Sequence, residues 1–277
     1  MCRLLGITYV KEPDLSLFTA FIRASQHDFI AEECYGFRSH NHGWGLAVST
    51  DKGRTLFYKF VIPCWDDEMV KTLLNPRVLG GCGILLLHSR RASAGTPIDS
   101  FSAHPFSTML VDGSNIYVVQ NGGLDKEKTY SMLKEKFGLK LEAVSDTLLF
   151  TRLLAETYRD MGIEEPSERL LRALKTLYRK LMERGATGGL ANTFILHSLP
   201  GDRSYMVAVR FIANEAEKAL KYGELFTSKN DDLFVIASST VARLLEEQGY
   251  RMAPLKKNGI LLIKIEKRGI LTHFHVL

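Results

Sequence analysis

Apolar and β-branched residues fall in short runs through the first half of the chain, the pattern of strands. Leu4–Val10, Gly45–Thr50, Thr55–Ile62, Gly83–His88, Thr108–Val111 and Ile116–Gln120 each carry such a run between turn residues. Asp112-Gly113 joins the last two as a short hairpin signal. Leu15–Ser25 and Asp66–Leu74 read as helices, the second stopped by Asn75-Pro76. The middle of the chain turns to helical spacing. Lys126–Phe137 ends at Gly138, Thr147–Met161 ends at Gly162, and a helix starts at Ser167 behind Pro166. Its stripe of Leu170, Leu171, Leu174, Leu177, Tyr178 and Leu181 is core packing. Strands return at Asn192–Leu199 and Tyr205–Phe211, flanking the turn Pro200-Gly201-Asp202, and again at Leu233–Ser238, Gly259–Glu266 and Ile270–Val276. Strands, then helices, then strands predict an α+β fold with largely antiparallel sheets. No linker, repeat or low-complexity segment interrupts the pattern, which predicts one domain over residues 1–277.

Composition adds exclusions. The 277 residues are 45% hydrophobic and 24% charged, ordinary for a globular protein long enough to bury a sizeable core. A formal charge of +5 with no basic block points away from nucleic acid. The first apolar run is broken by Lys11-Glu12-Pro13-Asp14, so it is not a signal peptide, and no stretch is long enough for a membrane span. Cys2, Cys34, Cys64 and Cys82 have neither zinc-site nor disulfide-scaffold spacing, which predicts reduced cysteines in a cytoplasmic protein.

The candidate chemistry lies where strands meet loops. Cys2 either opens a buried strand or, with Met1 removed, joins a thiol nucleophile to an α-amine able to act as its base. His88-Ser89-Arg90-Arg91-Ala92-Ser93-Ala94-Gly95 follows a strand and precedes Ala103-His104-Pro105-Phe106. Its arginines are either a carboxylate clamp or a surface pair. Gln120-Asn121-Gly122-Gly123 is either a turn or a pair of donors for an oxyanion. In Ser145-Asp146-Thr147, Asp146 is most simply a helix N-cap.

Taken in order, Cys2, His-Ser-Arg-Arg-Ala-Ser-Ala-Gly, Ala-His-Pro-Phe, Asn-Gly and Ser-Asp-Thr resemble the motifs of class II glutamine amidotransferases, which are N-terminal-nucleophile hydrolases. His42-Gly43-Trp44-Gly45-Leu46-Ala47 is similar to the Gly-Trp-Gly segment of their small stand-alone members. The resemblance runs from Cys2 to about Thr147, and more weakly through Ala237-Ser238 to the last strands. It implies a four-layer αββα sandwich and a glutamine-hydrolysing enzyme without cofactor or metal. Cys2 would attack the γ-carboxamide, its α-amine would shuttle the proton, and a γ-glutamyl thioester would be hydrolysed to glutamate after ammonia leaves. Asn121 and the Gly122 N–H would form the oxyanion hole. Arg90 would hold the α-carboxylate and Asp146 the α-ammonium, while His88, Trp44 and His104 would support the pocket.

The sequence departs from fused members in having Arg91 where they have Trp and Gln120 where many have His. Ala237-Ser238-Ser239-Thr240 lacks the Glu-Pro found after Ala-Ser in many small relatives. No acceptor domain follows Leu277, so ammonia would pass to a separate synthase subunit. Hydrolysis of γ-glutamyl bonds in a small peptide or thiol metabolite is the alternative function, and a non-catalytic interaction protein a third. His40, His42, His88 and His104 lie in or beside the motifs. They either converge on a metal or, as the lack of metal-ligand spacing favours, hydrogen-bond strand ends around the pocket.

Overall fold

A computed structural model describes residues 2–277 apart from 52, 137, 139, 163, 164, 202, 214 and 268. Met1, Phe137 of one expected helix and Asp202 of the expected turn thus lie outside the described residues. The chain opens with β1 (Cys2–Tyr9), α1 (Leu15–Gln26), α2 (Phe29–Tyr35), β2 (Trp44–Thr50) and β3 (Thr55–Phe60). Next come α3 (Met69–Leu73), α4 (Pro76–Leu79), β4 (Gly83–Arg90), β5 (Phe106–Met109) and β6 (Asn115–Leu124). The helical stretch is α5 (Lys126–Met132), α6 (Asp146–Arg159) and α7 (Pro166–Glu183). It is followed by β7 (Thr187–Leu199), β8 (Arg203–Arg210), α8 (Glu217–Tyr222), β9 (Leu225–Lys229), β10 (Leu233–Ser238) and α9 (Ser239–Glu247). The chain closes with β11 (Ala253–Pro254), β12 (Gly259–Glu266) and β13 (Gly269–Val276).

These strands form two sheets with antiparallel neighbours throughout. One has the order β11-β9-β10-β1-β4-β2-β3, the other β13-β12-β8-β7-β6-β5. Leu4, Leu86 and Ile236 of the first sheet pack face to face with Val119, Phe194, Met206 and Ile263 of the second. The outer face of the first sheet buries Leu5, Ile7, Leu46 and Leu85 against Phe18 and Phe21 of α1 and Val241 and Leu245 of α9. The outer face of the second buries Ile195, Val207 and Ile260 against Phe150 and Leu154 of α6 and Leu174 and Tyr178 of α7. Helices, sheet, sheet and helices give the four layers of the expected α+β sandwich.

Because β1 is covered on both faces, its apolar residues run almost without interruption instead of alternating with polar ones. The sheets meet closely there. A Cβ on Gly6 would lie 2.7 Å from Met206 Sδ in β8.

Several element ends differ from expectation for local reasons. Asp66–Leu74 yields only Met69–Leu73, and Asn75, expected to stop the helix, caps α4 by accepting the Arg77 N–H. The helix from Lys126 ends at Met132, because the Glu156 carboxylate of α6 takes the N–H groups of Lys134 and Glu135. Helices α2, α4, α8 and α9 and strands β9 and β11 were not expected. The amphipathic α9 starts within the Ser-Ser-Thr segment.

Candidate active site

Alternation along β1 turns Cys2 and Leu4 toward the opposite sheet and Arg3 and Leu5 away from it. Cys2 pairs with Arg90 at the end of β4, and Leu4 with His88, so His88 and Arg90 project from the same inner face as the thiol. Asn121 comes from the facing sheet, and its Oδ1 accepts the Cys2 N–H at 2.9 Å. Asn121 is fully buried, and its Nδ2 has no hydrogen-bond partner. An unpaired buried amide costs free energy, and this one leaves a donor free beside the start of β1. Gly122 follows at φ +137°, and a Cβ there would lie 1.8 Å from the Leu190 carbonyl oxygen. Only glycine fits this approach of β6 to β7. Asn121-Gly122 is therefore no turn: it lies inside β6, where the register with β7 shifts between Gly122 and Leu124.

The surroundings activate the thiol. Burial raises the Cys2 pKa, but the positive chain terminus, the His88 imidazole and the Arg91 backbone outweigh it and bring the value from 9.0 to about 6. The buried Cys64 shows burial winning, with its thiol pushed up to about 12.

Arg90 is 5% exposed and donates from Nη1 to the Pro97 carbonyl at 2.8 Å. Burial lowers its pKa, while Cys2, Asp99 and Asp146 act in the opposite sense. Asp146 is the first residue of α6 and Ser145 is its N-cap, correcting the simplest reading of the sequence. Asp146 Oδ2 accepts the Leu124 N–H at 2.8 Å and Oδ1 the Thr147 N–H at 2.9 Å. This carboxylate therefore ties the start of α6 to the end of β6, just past Asn121-Gly122.

A polar network backs the cluster. His88 and His104 stack with ring centroids 4.0 Å apart, and His88 Nε2 lies 3.2 Å from the Gln120 carbonyl. His104 Nε2 meets Thr147 Oγ1 at 2.9 Å, and Thr147 donates to Gln120 Oε1 at 3.2 Å. Gln120 Nε2 then donates to Thr193. Gln120 thus occupies a buried amide position with its donor and acceptor both used.

Trp44 is not brought to this cluster. It lies on the outer face of the first sheet, where its Nε1 donates to Asp67 Oδ2 at 2.8 Å and its ring tilts against Tyr58. The four histidines separate as well. His40 binds Asp28, His42 Nδ1 accepts the Ala92 N–H, and His88 and His104 stack. Among the described residues no group of three or more His, Cys, Asp or Glu side chains could hold a metal ion. No helix among them is long and apolar enough to cross a membrane.

Sequence reasoning missed the buried groups beneath Cys2. Arg3 Nε lies 2.6 Å from Asp28 Oδ2, both side chains fully buried. Tyr222 donates to the Cys2 carbonyl at 3.3 Å. The available signal was Arg3 itself, a charge inside an apolar run, which can be buried only with a partner. An open cavity of about 620 Å³, lined by Gly123, Leu124, Asp125, Thr187 and Gly188, adjoins the end of β6. Another, of about 480 Å³, lies between β5 and α6, and no residue of the cluster lines it.

No protein-family model matches the chain, and no curated protein does. Solved structures do. Glutamine phosphoribosylpyrophosphate amidotransferase from B. subtilis, complexed with ADP and GMP, superposes with a TM-score of 0.58 at 13% identity, covering 98% of this chain and 49% of that one. The chain thus shares its fold with about half of that amidotransferase. A structure described as the allosteric regulatory enzyme of purine biosynthesis gives a TM-score of 0.57 at 15% identity, covering 98% of this chain and 48% of that one. The chain spans about half the length of these neighbours. Cys2 stands at the start of β1.

Proposed function

We propose that this chain is a class II glutamine amidotransferase-type amidohydrolase, one domain over residues 1–277, with Cys2 as nucleophile. The observation that carries the reading is the Cys2–Asn121 pair: the Cys2 N–H donates to Asn121 Oδ1 at 2.9 Å, and the buried Asn121 Nδ2 has nothing to donate to. Met1 is removed in this reading, freeing the α-amine of Cys2. An amine that donates one N–H to Asn121 Oδ1 is held in place with its lone pair directed elsewhere, available to the thiol proton. The thiolate attacks the γ-carboxamide carbon of glutamine, and Asn121 Nδ2 and the Gly122 N–H receive the oxyanion. The α-ammonium returns the proton to the leaving nitrogen, and ammonia departs. Water, deprotonated by the same amine, then cleaves the thioester to glutamate and restores the thiol.

The zwitterionic end of glutamine requires one fixed cation and one fixed anion. Arg90, with its guanidinium held by Pro97, takes the α-carboxylate, and Asp146 takes the α-ammonium. In the proposal ammonia passes to a separate acceptor-binding synthase subunit. The free cysteines support a reducing, cytoplasmic setting in which Cys2 remains a thiol.

The test joins intact mass to turnover. Purified protein is expected to lack Met1 and to release glutamate and ammonia from glutamine in equal amounts, with Cys2→Ser severely impaired. Turnover of γ-glutamyl dipeptides without turnover of glutamine would move the assignment to γ-glutamyl hydrolysis. Full activity in protein that retains Met1 would rule out the α-amine as base.

A further inference from the structure

In the proposed function Cys2 is the first residue, which poses a physical difficulty, because terminal residues fray unless something ties them down. On its inner side Cys2 is held by Asn121, which the chemistry also uses. The outer side of β1 carries a separate device. Arg3 is fully buried there, its Nε 2.6 Å from Asp28 Oδ2, its Nη1 donating to Ser239 Oγ at 2.9 Å and its guanidinium 4.1 Å above the Tyr222 ring. Tyr222 completes the circuit by donating to the carbonyl of Cys2.

Asp28 is fixed from every side. Its carboxylate caps α2 through the Ala31 N–H and accepts hydrogen bonds from His40 Nε2 at 2.6 Å and from the Thr240 hydroxyl. Burial opposes its ionisation, but Arg3, His40 and Thr240 hold its pKa well below the usual carboxylate range. Ser239 donates to the Tyr222 carbonyl, and Ser238 Oγ accepts the Leu4 N–H at 3.1 Å. The Ser238-Ser239-Thr240 segment is thus a cradle for the first residues of β1. Fully buried ion pairs gain little net stability over apolar packing, so stability alone does not account for this one.

We propose that Arg3, clamped by Asp28 and seated on Tyr222, is a positioning residue that fixes the N-terminal cysteine so that its thiol and α-amine stay aimed at Asn121 and the substrate amide. This rests on the nucleophilic role given to Cys2 above. The anchor touches neither substrate nor thiol and acts through the backbone of residues 2 and 3. A misplacement of about 1 Å can cost on the order of 10²-fold in rate.

Four variants test it: Tyr222→Phe, which removes only the hydroxyl, Asp28→Asn, Arg3→Lys, which keeps the charge but loses the fork, and Arg3→Met, which loses both. Each is measured by glutaminase kinetics, by iodoacetamide alkylation of Cys2 mapped by mass, by amide hydrogen exchange over residues 3–6, and by thermal unfolding. Asp28→Asn is expected to lower kcat by roughly 10²-fold with little change in KM. Tyr222→Phe is expected to lower it by roughly three- to tenfold, the scale of one hydrogen bond. Both should lose exchange protection at residues 3–6 while the β4 amides stay protected, and Arg3→Lys should retain more activity than Arg3→Met. Native kcat and protection in Tyr222→Phe and Asp28→Asn would overturn the anchor. So would losses that merely track the fraction unfolded. Should the wild type release no glutamate, the glutaminase reading falls, while exchange and Cys2 alkylation still decide whether the anchor holds the terminus.

Discussion

Asn121 holds the Cys2 N–H through Oδ1 at 2.9 Å and keeps Nδ2 buried and unpartnered. One side chain thus holds the Cys2 nitrogen and, in the proposed reaction, offers a donor to the charge that develops beside the thiol. Asn121→Ala is expected to lower glutamine turnover by roughly 10²–10³-fold, because a lost oxyanion donor is felt mainly in the transition state. KM should move far less than kcat in steady-state kinetics. Near-native kcat would return Asn121 to a purely structural role.

The Cys2 thiol should stand apart from the other cysteines in its response to pH. With a pKa of about 6, its thiolate fraction rises through that pH and is nearly complete at neutrality. Alkylation mapped by mass is therefore expected to level off for Cys2 by neutral pH while Cys64, pushed up to about 12, stays unreactive in the folded protein. A Cys2 rate still climbing above pH 8 would show that His88, the chain terminus and the Arg91 backbone do not offset burial.

Arg90 and Asp146 are expected to read opposite ends of the same zwitterion. Arg90→Lys keeps the charge but loses the planar fork, and should raise KM for glutamine substantially. Asp146→Asn should impair recognition of the α-ammonium, and because Asp146 also binds the Leu124 and Thr147 N–H groups, it should lower thermal stability as well. Comparing glutamine with analogues lacking the α-amine or the α-carboxylate separates the two residues. Equal efficiency on all three compounds would remove the amino-acid-binding role from both.

Acid should destabilise the fold before its carboxylates titrate. Burial lowers His40 and His197 from 6.5 to about 4, and it lowers His104 well below 6.5. Between pH 6.5 and 4 the unfolded chain therefore binds protons that the folded chain does not, so stability falls as pH falls through that window. Urea midpoints measured across it should drop steadily, and less so in His197→Gln if that variant folds. A flat profile between pH 6.5 and 4.5 would mean that these rings are protonated in the native state.

Much of the architecture was legible along the chain because burial imposes periodicity. A strand covered on both faces, such as β1, reads as a continuous apolar run, and α7 shows its stripe at helical spacing, so element types and the α+β class follow from local pattern. The motif order around Cys2, Arg90, Asn121, Gly122 and Asp146 was also visible, as a resemblance. What the sequence could not supply was the facing of residues far apart in the chain. That Asn121 points its Oδ1 at Cys2, and that Asn121-Gly122 lies within a strand instead of a turn, depends on how the second sheet packs on the first. Trp44 lies beside motif residues in sequence yet belongs to the opposite face, because strand alternation and the Asp67 carboxylate draw it there. Arg3, Asp28, Tyr222 and Thr240 come from four distant segments. Their charges and hydroxyls can leave water only by meeting one another, and that meeting exists only in the folded chain.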